Sequence, residues 1–216
     1  MLHRRLAEIL RDRFPDLAAA EPEVLAHHFT QAALSDAAVE WWGKAGDQAL
    51  RRSAFQEAIS HLSKAIEMTD KSGEGRSATA SVSASANQRL KIQTDLGKAV
   101  MWSRGYGAEE SKVAFIRARE LAAAIDNATE RFTIYYGLYA GNIARGELGF
   151  AREIAETFLH DAERGARTTE YGYGRALLGH TCLRQGDFIE EQSNFVEALS
   201  IYDPEQDREA DRKSVV

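Results

Sequence analysis

The sequence has little proline, a single cysteine, no block of basic residues and no long apolar run. Its three prolines, Pro15, Pro22 and Pro204, all lie outside the segments that show helical periodicity, so they interrupt none of the predicted helices. One cysteine, Cys182, excludes an internal disulfide framework and fits a reducing compartment. We therefore expect a cytoplasmic location.

The charge and hydropathy of the chain exclude two classes of partner. The net charge is −6 over 216 residues and the basic residues are dispersed, so we expect no nucleic-acid partner. No apolar run approaches about 18 residues, the length typical of a membrane-spanning helix, so we expect no membrane partner. The N-terminal segment has no continuous apolar core and no cleavage site, which predicts a folded helix rather than a signal peptide.

Abundant alanine and scarce β-branched runs predict an all-α chain. From Asp36 to Thr69, apolar residues recur at the spacing of two amphipathic helices joined by a tight turn. This order of large and small residues resembles the tetratricopeptide (TPR) pattern W-x2-L-G-x2-Y…A-x3-F-x2-A, in which small residues let paired helices approach closely. The first predicted helix carries Trp42, Ala45, Gly46 and Ala49 on one face, and the second carries Ala58, Leu62 and Ala65.

The pattern recurs downstream, at Leu96-Gly97, loosely at Leu138-Tyr139, and well at Leu178-Gly179. The later units return roughly every 40 residues, longer than the standard repeat. Such repetition predicts a right-handed α-solenoid of TPR-like antiparallel helix pairs. Two extra helices precede it, and the first of them carries Leu2, Leu6, Ile9 and Leu10 on one face.

Residues 71–88 form the one break in composition, because they are rich in Ser, Ala and Gly. We interpret them as a flexible connector; the alternative is that their second half extends the next helix. The nearly all-charged residues 205–216 are expected to be disordered. The predicted organisation is an N-terminal helix pair (1–35), TPR-like repeat 1 (36–70), the connector (71–88), TPR-like repeats 2–4 (89–204) and the charged tail (205–216).

The motifs LAHHFTQA, AVEWWGKAG, RGEL and GDF…ALSIYDPEQD, taken together, are similar to one region of large bacterial signalling proteins. Those proteins carry a class III adenylate/guanylate cyclase domain, an AAA-type (STAND-like) ATPase domain and a C-terminal TPR array. The resemblance covers the chain to about Asp207 and is specific for the array, since no GxxxxGK[ST] phosphate loop occurs. It implies a fragment or a truncated stand-alone product, with the catalytic activities in other domains.

Several residues suggest chemistry, but each has a structural interpretation that we favour. His27-His28 would point about 100° apart on a helix, and no third ligand lies at i+3 or i+4. Glu109-Glu110 and Glu190-Glu191 begin predicted helices, where acids interact favourably with the helix dipole. Cys182 lies at a repeat core position. We therefore expect no enzymatic activity, no cofactor and no metal.

The segment Tyr171-Gly172-Tyr173-Gly174 is unusual inside a predicted helix, because each glycine costs roughly 1 kcal/mol relative to alanine. It is not a phosphate loop, since no Lys-Ser/Thr follows it. Two interpretations remain open: the helix begins only at about Arg175, or the glycines permit close helix packing.

The TPR resemblance implies a binding groove lined by the first helix of each pair. The groove positions mix charged with aromatic side chains, as peptide-binding surfaces often do. In this sequence they are Asp47, Arg51, Lys98, Trp102, Tyr136, His180 and Arg184.

The last predicted helix gives a competing hypothesis, because it offers apolar side chains with no further helix to cover them. These are Phe188, Phe195, Leu199 and Tyr202. We expect either a homodimer through this end or a docking site for a missing repeat. The main prediction is a non-catalytic protein–protein interaction module, a scaffold or regulator that binds a protein or peptide; the alternatives are self-association and a ligand-sensing arm of a cyclase or ATPase regulator.

Overall fold

The computed structural model describes residues 1–72, 82–123 and 127–202, and these residues form eleven helices and no strand. The all-α prediction is confirmed. The helices are α1 (Leu2–Arg13), α2 (Pro15–Ala20), α3 (Pro22–Gln31), α4 (Ser35–Arg51), α5 (Phe55–Ser72), α6 (Val82–Arg104), α7 (Glu109–Ala122), α8 (Ala128–Ala144), α9 (Leu148–Arg164), α10 (Thr168–Gln185) and α11 (Phe188–Ile201).

The chain divides into two compact units, Met1–Gly137 and Leu138–Val216. In the first unit, α3 packs on α4, α4 on α5, α5 on α6 and α6 on α7. Helix α4 also contacts α6, so the first helices of successive pairs adjoin. In the second unit, α9 packs on α10 and α10 on α11. Each unit is therefore built from antiparallel neighbours that are adjacent in sequence, as in helical repeat proteins.

The N-terminal region differs from its prediction in the number of helices. Three helices precede the first repeat rather than two, because Pro15 ends α1 and also begins the short helix α2. On the apolar face of α1, Leu2, Leu6 and Ile9 are exposed. Helix α1 instead packs on α3, and its buried residue is Ala7.

The core of the first repeat is as predicted. All seven residues of the TPR-like pattern are buried, and Gly46 lies so close to Leu62 that no side chain fits between them. The Trp42 indole N–H donates a hydrogen bond of 3.0 Å to the Thr30 hydroxyl, and its ring stacks on His61. These contacts join α4 to α3 and α5. The buried pattern residues are Trp42, Ala45, Gly46, Ala49, Ala58, Leu62 and Ala65.

Two open alternatives are resolved for the described residues. Helix α10 begins at Thr168, so its glycines do not delay it, and a Cβ at Gly174 would lie 3.2 Å from Leu159. Close packing therefore explains Gly174. Helix α6 begins at Val82, so the last part of the predicted connector is helical, whereas residues 73–81 and the predicted tail 205–216 lie outside the described residues.

Within the described ranges, five helix–helix turns close in the same way. At each one, a residue with positive φ is followed by a residue whose amide donates to the carbonyl five positions back, as Leu34 does to Phe29. This common turn sets the antiparallel direction of each helix pair. The positive-φ residues are Ala33, Ser53, Gly146, Ala166 and Gly186.

Candidate functional site

A stripe of polar and aromatic residues runs along α6, where Lys91, Asp95, Lys98 and Trp102 share one face. Asp95 is almost completely buried, with 3% of its side chain exposed, and it accepts contacts from both lysines. The Lys91 Nζ lies 2.5 Å and the Lys98 Nζ 2.8 Å from its carboxylate oxygens. The aspartate thus fixes two ammonium groups on the surface of the helix.

Helix α4 extends this arrangement through Asp47, which accepts a hydrogen bond of 3.0 Å from Lys91 and pairs with Arg51. Burial raises the pKa of Asp47, but the hydrogen bonds from Arg51 and Lys91 outweigh it and hold the pKa below its usual value. Burial lowers the pKa of Lys91, and Asp95 and Asp47 outweigh that effect, so its pKa is raised. Both shifts favour the charged forms of Asp47 and Lys91.

Glu130 of α8 completes what we call the charged patch. The pKa of Glu130 is raised, mainly by burial. A hydrogen bond with Thr94 lowers this pKa, whereas the charge of Asp95 raises it further. The patch combines three basic and three acidic side chains, but their exposure differs. Arg51 exposes 77% and Lys91 51% of its side chain, whereas Asp47 exposes 27%. The charged patch consists of Asp47, Arg51, Lys91, Asp95, Lys98 and Glu130.

Three exposed aromatic side chains, Trp102, Tyr106 and Tyr136, form a second feature of the first unit, which we call the aromatic patch. The Trp102 ring lies 5.6 Å from that of Phe55. Tyr136 stacks on Phe132 with ring centroids 6.0 Å apart. Burial is the main cause that raises the pKa of Tyr136, and the nearby Tyr106 raises it further. Trp102 follows Lys98 by one helical turn, so the aromatic patch borders the charged patch.

In the second unit, the predicted groove residues His180 and Arg184 both lie on α10. The Tyr139 hydroxyl lies 2.9 Å from His180 Nδ1, and Arg184 Nε lies 3.4 Å from His180 Nε2. Burial is the main cause that lowers the pKa of His180, and the charge of Arg184 lowers it further. These contacts favour a neutral His180 imidazole that connects α8 to α10.

The predicted self-association residues of α11 have unequal environments. Phe188, Leu199 and Tyr202 are exposed, but Phe195 is half-buried because its ring fits over Gly179, where a Cβ would lie 3.1 Å away. Two further exposed residues were missed: Ile189 exposes 87% and Val196 60% of its surface. Their spacing of seven residues was the signal, since it places both on one face of a helix.

The residues that suggested chemistry have structural partners. Glu190 pairs with Arg152 at 2.5 Å and Glu110 with Arg104 at 2.5 Å. Cys182 is buried, and burial is the main cause that raises the pKa of its thiol.

The histidine pair His27-His28 has a third neighbour that the sequence did not reveal. The Nδ1 atoms of His3 and His28 are 2.8 Å apart. Burial is the main cause that lowers the pKa of His28, and His3 and His27 add to it. Nevertheless, no group of three His, Cys, Asp or Glu in residues 1–72, 82–123 and 127–202 is placed to hold a metal ion.

Among the helices of residues 1–72, 82–123 and 127–202, none combines the length and hydropathy that crossing a membrane requires.

Among the solved structures that match the chain are TPR-like repeat proteins. BtubC (BKLC) from P. vanneervenii has a TM-score of 0.64 and 16% identity, covering 92% of this chain and 85% of its own. A kinesin light chain-like protein of Podosopora anserina with nearly identical TPR-like repeats has a TM-score of 0.65, 15% identity and 92% coverage of both chains. A variant of that protein reaches 0.66, at 16% identity and 95% coverage of both.

The chain has the fold of TPR-like repeat proteins. No family model matches it, and no curated protein matches it. TPR-like repeats generally mediate protein–protein interactions and are typically non-catalytic scaffolds. At identities of 15–16%, the likeness establishes the fold alone.

Proposed function

We propose that the first unit binds a protein segment that carries a carboxylate close to an apolar side chain. The charged patch receives the carboxylate, and the aromatic patch receives the apolar group. The chain acts in this way as a non-catalytic scaffold or regulator.

The observation that carries the proposal is the unequal exposure of the charged patch. Asp95 exposes 3%, Asp47 27% and Lys98 28% of its side chain, whereas Arg51 and Lys91 expose 77% and 51% and extend into solvent. An approaching segment therefore meets positive charge first, although the patch is neutral in sum. Because Asp95 and Asp47 hold the ammonium group of Lys91 in place, little side-chain entropy is lost when a carboxylate binds it.

The spacing along α6 limits the length of the bound segment. Lys98 and Trp102 are four residues apart, a rise of about 6 Å, and Lys91 and Trp102 are eleven apart, a rise of about 16 Å. An extended chain covers these distances in about two and five residues. The preferred ligand thus has an Asp or Glu two to five residues from a large apolar side chain.

Selection from a phage-displayed library of random dodecapeptides on the immobilised full chain tests the proposal. We expect enriched peptides that combine an acidic and a large apolar residue, and fluorescence anisotropy should show roughly tenfold weaker binding to Arg51→Gln and to Trp102→Ala. Arg119→Gln, which removes one exposed positive charge from α7, is the matched control and should bind normally. Enrichment of basic peptides, or equal binding by Arg51→Gln and Trp102→Ala, would contradict the proposal.

The sequence resemblance extends this proposal to a biological setting. As part or relic of a bacterial cyclase–ATPase regulator, the chain would sense a partner and influence domains outside this sequence. The sequence has a single cysteine, Cys182, which is buried, and a chain without an internal disulfide fits a reducing compartment such as the cytoplasm.

Self-association through α11 is the second candidate function. It is favoured by one observation: Phe188, Ile189, Val196 and Leu199 are all exposed on this helix. So much clustered apolar surface is typical of an interaction site rather than of isolated surface residues.

A further inference from the structure

The outward side of α11 is an uncharged stripe in which large and small residues alternate. Ile189, Ser193, Val196 and Ser200 follow one another at spacings of four, three and four, so they share a face. The serines leave an open depression of about 460 Å³, which these four residues line together with Gln192 and Glu197. Ile189 and Val196 project beside it.

We infer that this stripe pairs with the same stripe of a second copy, antiparallel about a two-fold axis midway between Ser193 and Val196. The inference rests on the second candidate function, self-association, and specifies its residues and register. In this register Ser193 of one copy faces Val196 of the other, and Ile189 faces Ser200. Every large side chain thus meets a small one, which is the complementarity that an isologous interface requires.

The polar residue beside the stripe fits the same register. Gln192 of one copy faces Glu197 of the other, so its amide can donate a hydrogen bond to that carboxylate. Glu197 is already paired with Arg175 at 3.2 Å, and Glu190 with Arg152, so neither carboxylate opposes the approach of another copy as an uncompensated charge. In a parallel two-fold pairing each residue would face its own copy, so that Ile189 would meet Ile189 and Val196 would meet Val196. The alternation of large and small residues therefore disfavours a parallel pairing.

The size of the stripe predicts a weak dimer. Burial of one aliphatic side chain removes on the order of 100 Å² of apolar surface from water, so the stripe and its neighbours Phe188 and Leu199 contribute on the order of 500 Å² per copy. The total is close to 1,000 Å², the lower end for a specific interface. We expect reversible dimerisation with a Kd on the order of 10 μM.

Sedimentation velocity of the full chain from about 1 to 200 μM tests self-association. We expect a concentration-dependent dimer, and Val196→Lys should weaken it at least tenfold by placing two ammonium groups in the interface. Thr157→Lys on the exposed side of α9 is the control and should leave the dimer unchanged. A strict monomer over this range would contradict both self-association and the register.

Disulfide cross-linking tests the register by itself, in a chain with Cys182→Ala. Ile189→Cys combined with Ser200→Cys should form a cross-linked dimer under mild oxidation, because position 189 of one copy faces position 200 of the other, whereas the two positions of one chain lie about 16 Å apart along the helix and cannot be bridged. Ser200→Cys alone should not form a cross-linked dimer, because its two copies would also lie about 16 Å apart along the helix. A dimer with the reverse cross-linking pattern would overturn the register and leave self-association standing. A monomeric intact chain that dimerises only after removal of residues 203–216 would mean that this segment covers the stripe instead, which would overturn the inference.

Discussion

Gly46 of α4 lies directly against Leu62 of α5, so that a Cβ at position 46 would stand 2.5 Å from Leu62 Cγ. Leu62 is completely buried and cannot move aside without disturbing the first repeat. We expect Gly46→Ala to destabilise the chain by about 1–3 kcal/mol, as overpacking of a core does. Urea unfolding followed by circular dichroism measures this change.

Gly43 is the matched control for that substitution, because it lies one turn earlier in the same helix. A Cβ there would meet Ile92 at 3.4 Å, which is an ordinary van der Waals contact. Gly43→Ala should be neutral or should stabilise the chain by up to about 1 kcal/mol through its higher helix propensity. If both variants behaved alike, close approach of α4 and α5 would not explain Gly46.

Asp95 holds Lys91 and Lys98, and its replacement by asparagine should cost about 2 kcal/mol of stability. The amide keeps the shape of the side chain but leaves two ammonium groups beside a buried neutral group. Glu40→Gln breaks the exposed pair with Lys44 and should change the free energy of unfolding by less than about 0.5 kcal/mol. Equal effects in the two variants would show that burial adds nothing to the Asp95 contacts.

His61 should make the stability of the chain depend on pH. Burial is the main cause that lowers its pKa in the folded chain, and Lys64 adds to it. In the unfolded chain the pKa is about 6.5. Between the two values the unfolded chain binds more protons, so stability rises with pH. The full stability is present above about pH 6.5 and is lost as the pH falls through the folded pKa.

Urea unfolding at several pH values between 5 and 7.5 measures this dependence. His61→Phe retains an aromatic ring beside Trp42 and removes the titrating group, so its stability should vary less with pH than that of the unchanged chain. His28 and His180, whose pKa values are also lowered, mainly by burial, should leave a smaller slope of the same sign.

Cys182 should resist alkylation in the folded chain. It is fully buried, and its raised pKa keeps it in the unreactive thiol form. We expect mass spectrometry to show little modification after treatment with iodoacetamide at pH 7.5, and complete modification in urea. Rapid reaction without denaturant would mean that the core between α9 and α11 opens readily.

The helices and the first core could be predicted because both depend on local spacing. The positions of Trp42, Gly46 and Leu62 follow a period that any short window of sequence contains. The turns could be placed as well, since glycine and polar residues separate the periodic segments.

The charged patch could be predicted only in part, because its contacts depend on how the helices adjoin. Asp47 and Lys98 were selected as groove positions, but Lys91 was not, although it contacts both Asp95 and Asp47, the latter 44 residues earlier in the sequence. Glu130 comes from a third helix. The environment of Phe195 depends in the same way on Gly179 of the neighbouring helix, which no pattern within α11 reveals.

The five matching turns make the chain open to engineering. Three of them use Ala33, Ser53 or Ala166 in the left-handed conformation, which side chains disfavour by roughly 1 kcal/mol. Replacing these residues with glycine should therefore raise the melting temperature by a few degrees in total. None of the three belongs to the charged patch, the aromatic patch or the α11 stripe. The substituted chain would therefore be a thermally more stable scaffold onto which new recognition surfaces could be grafted.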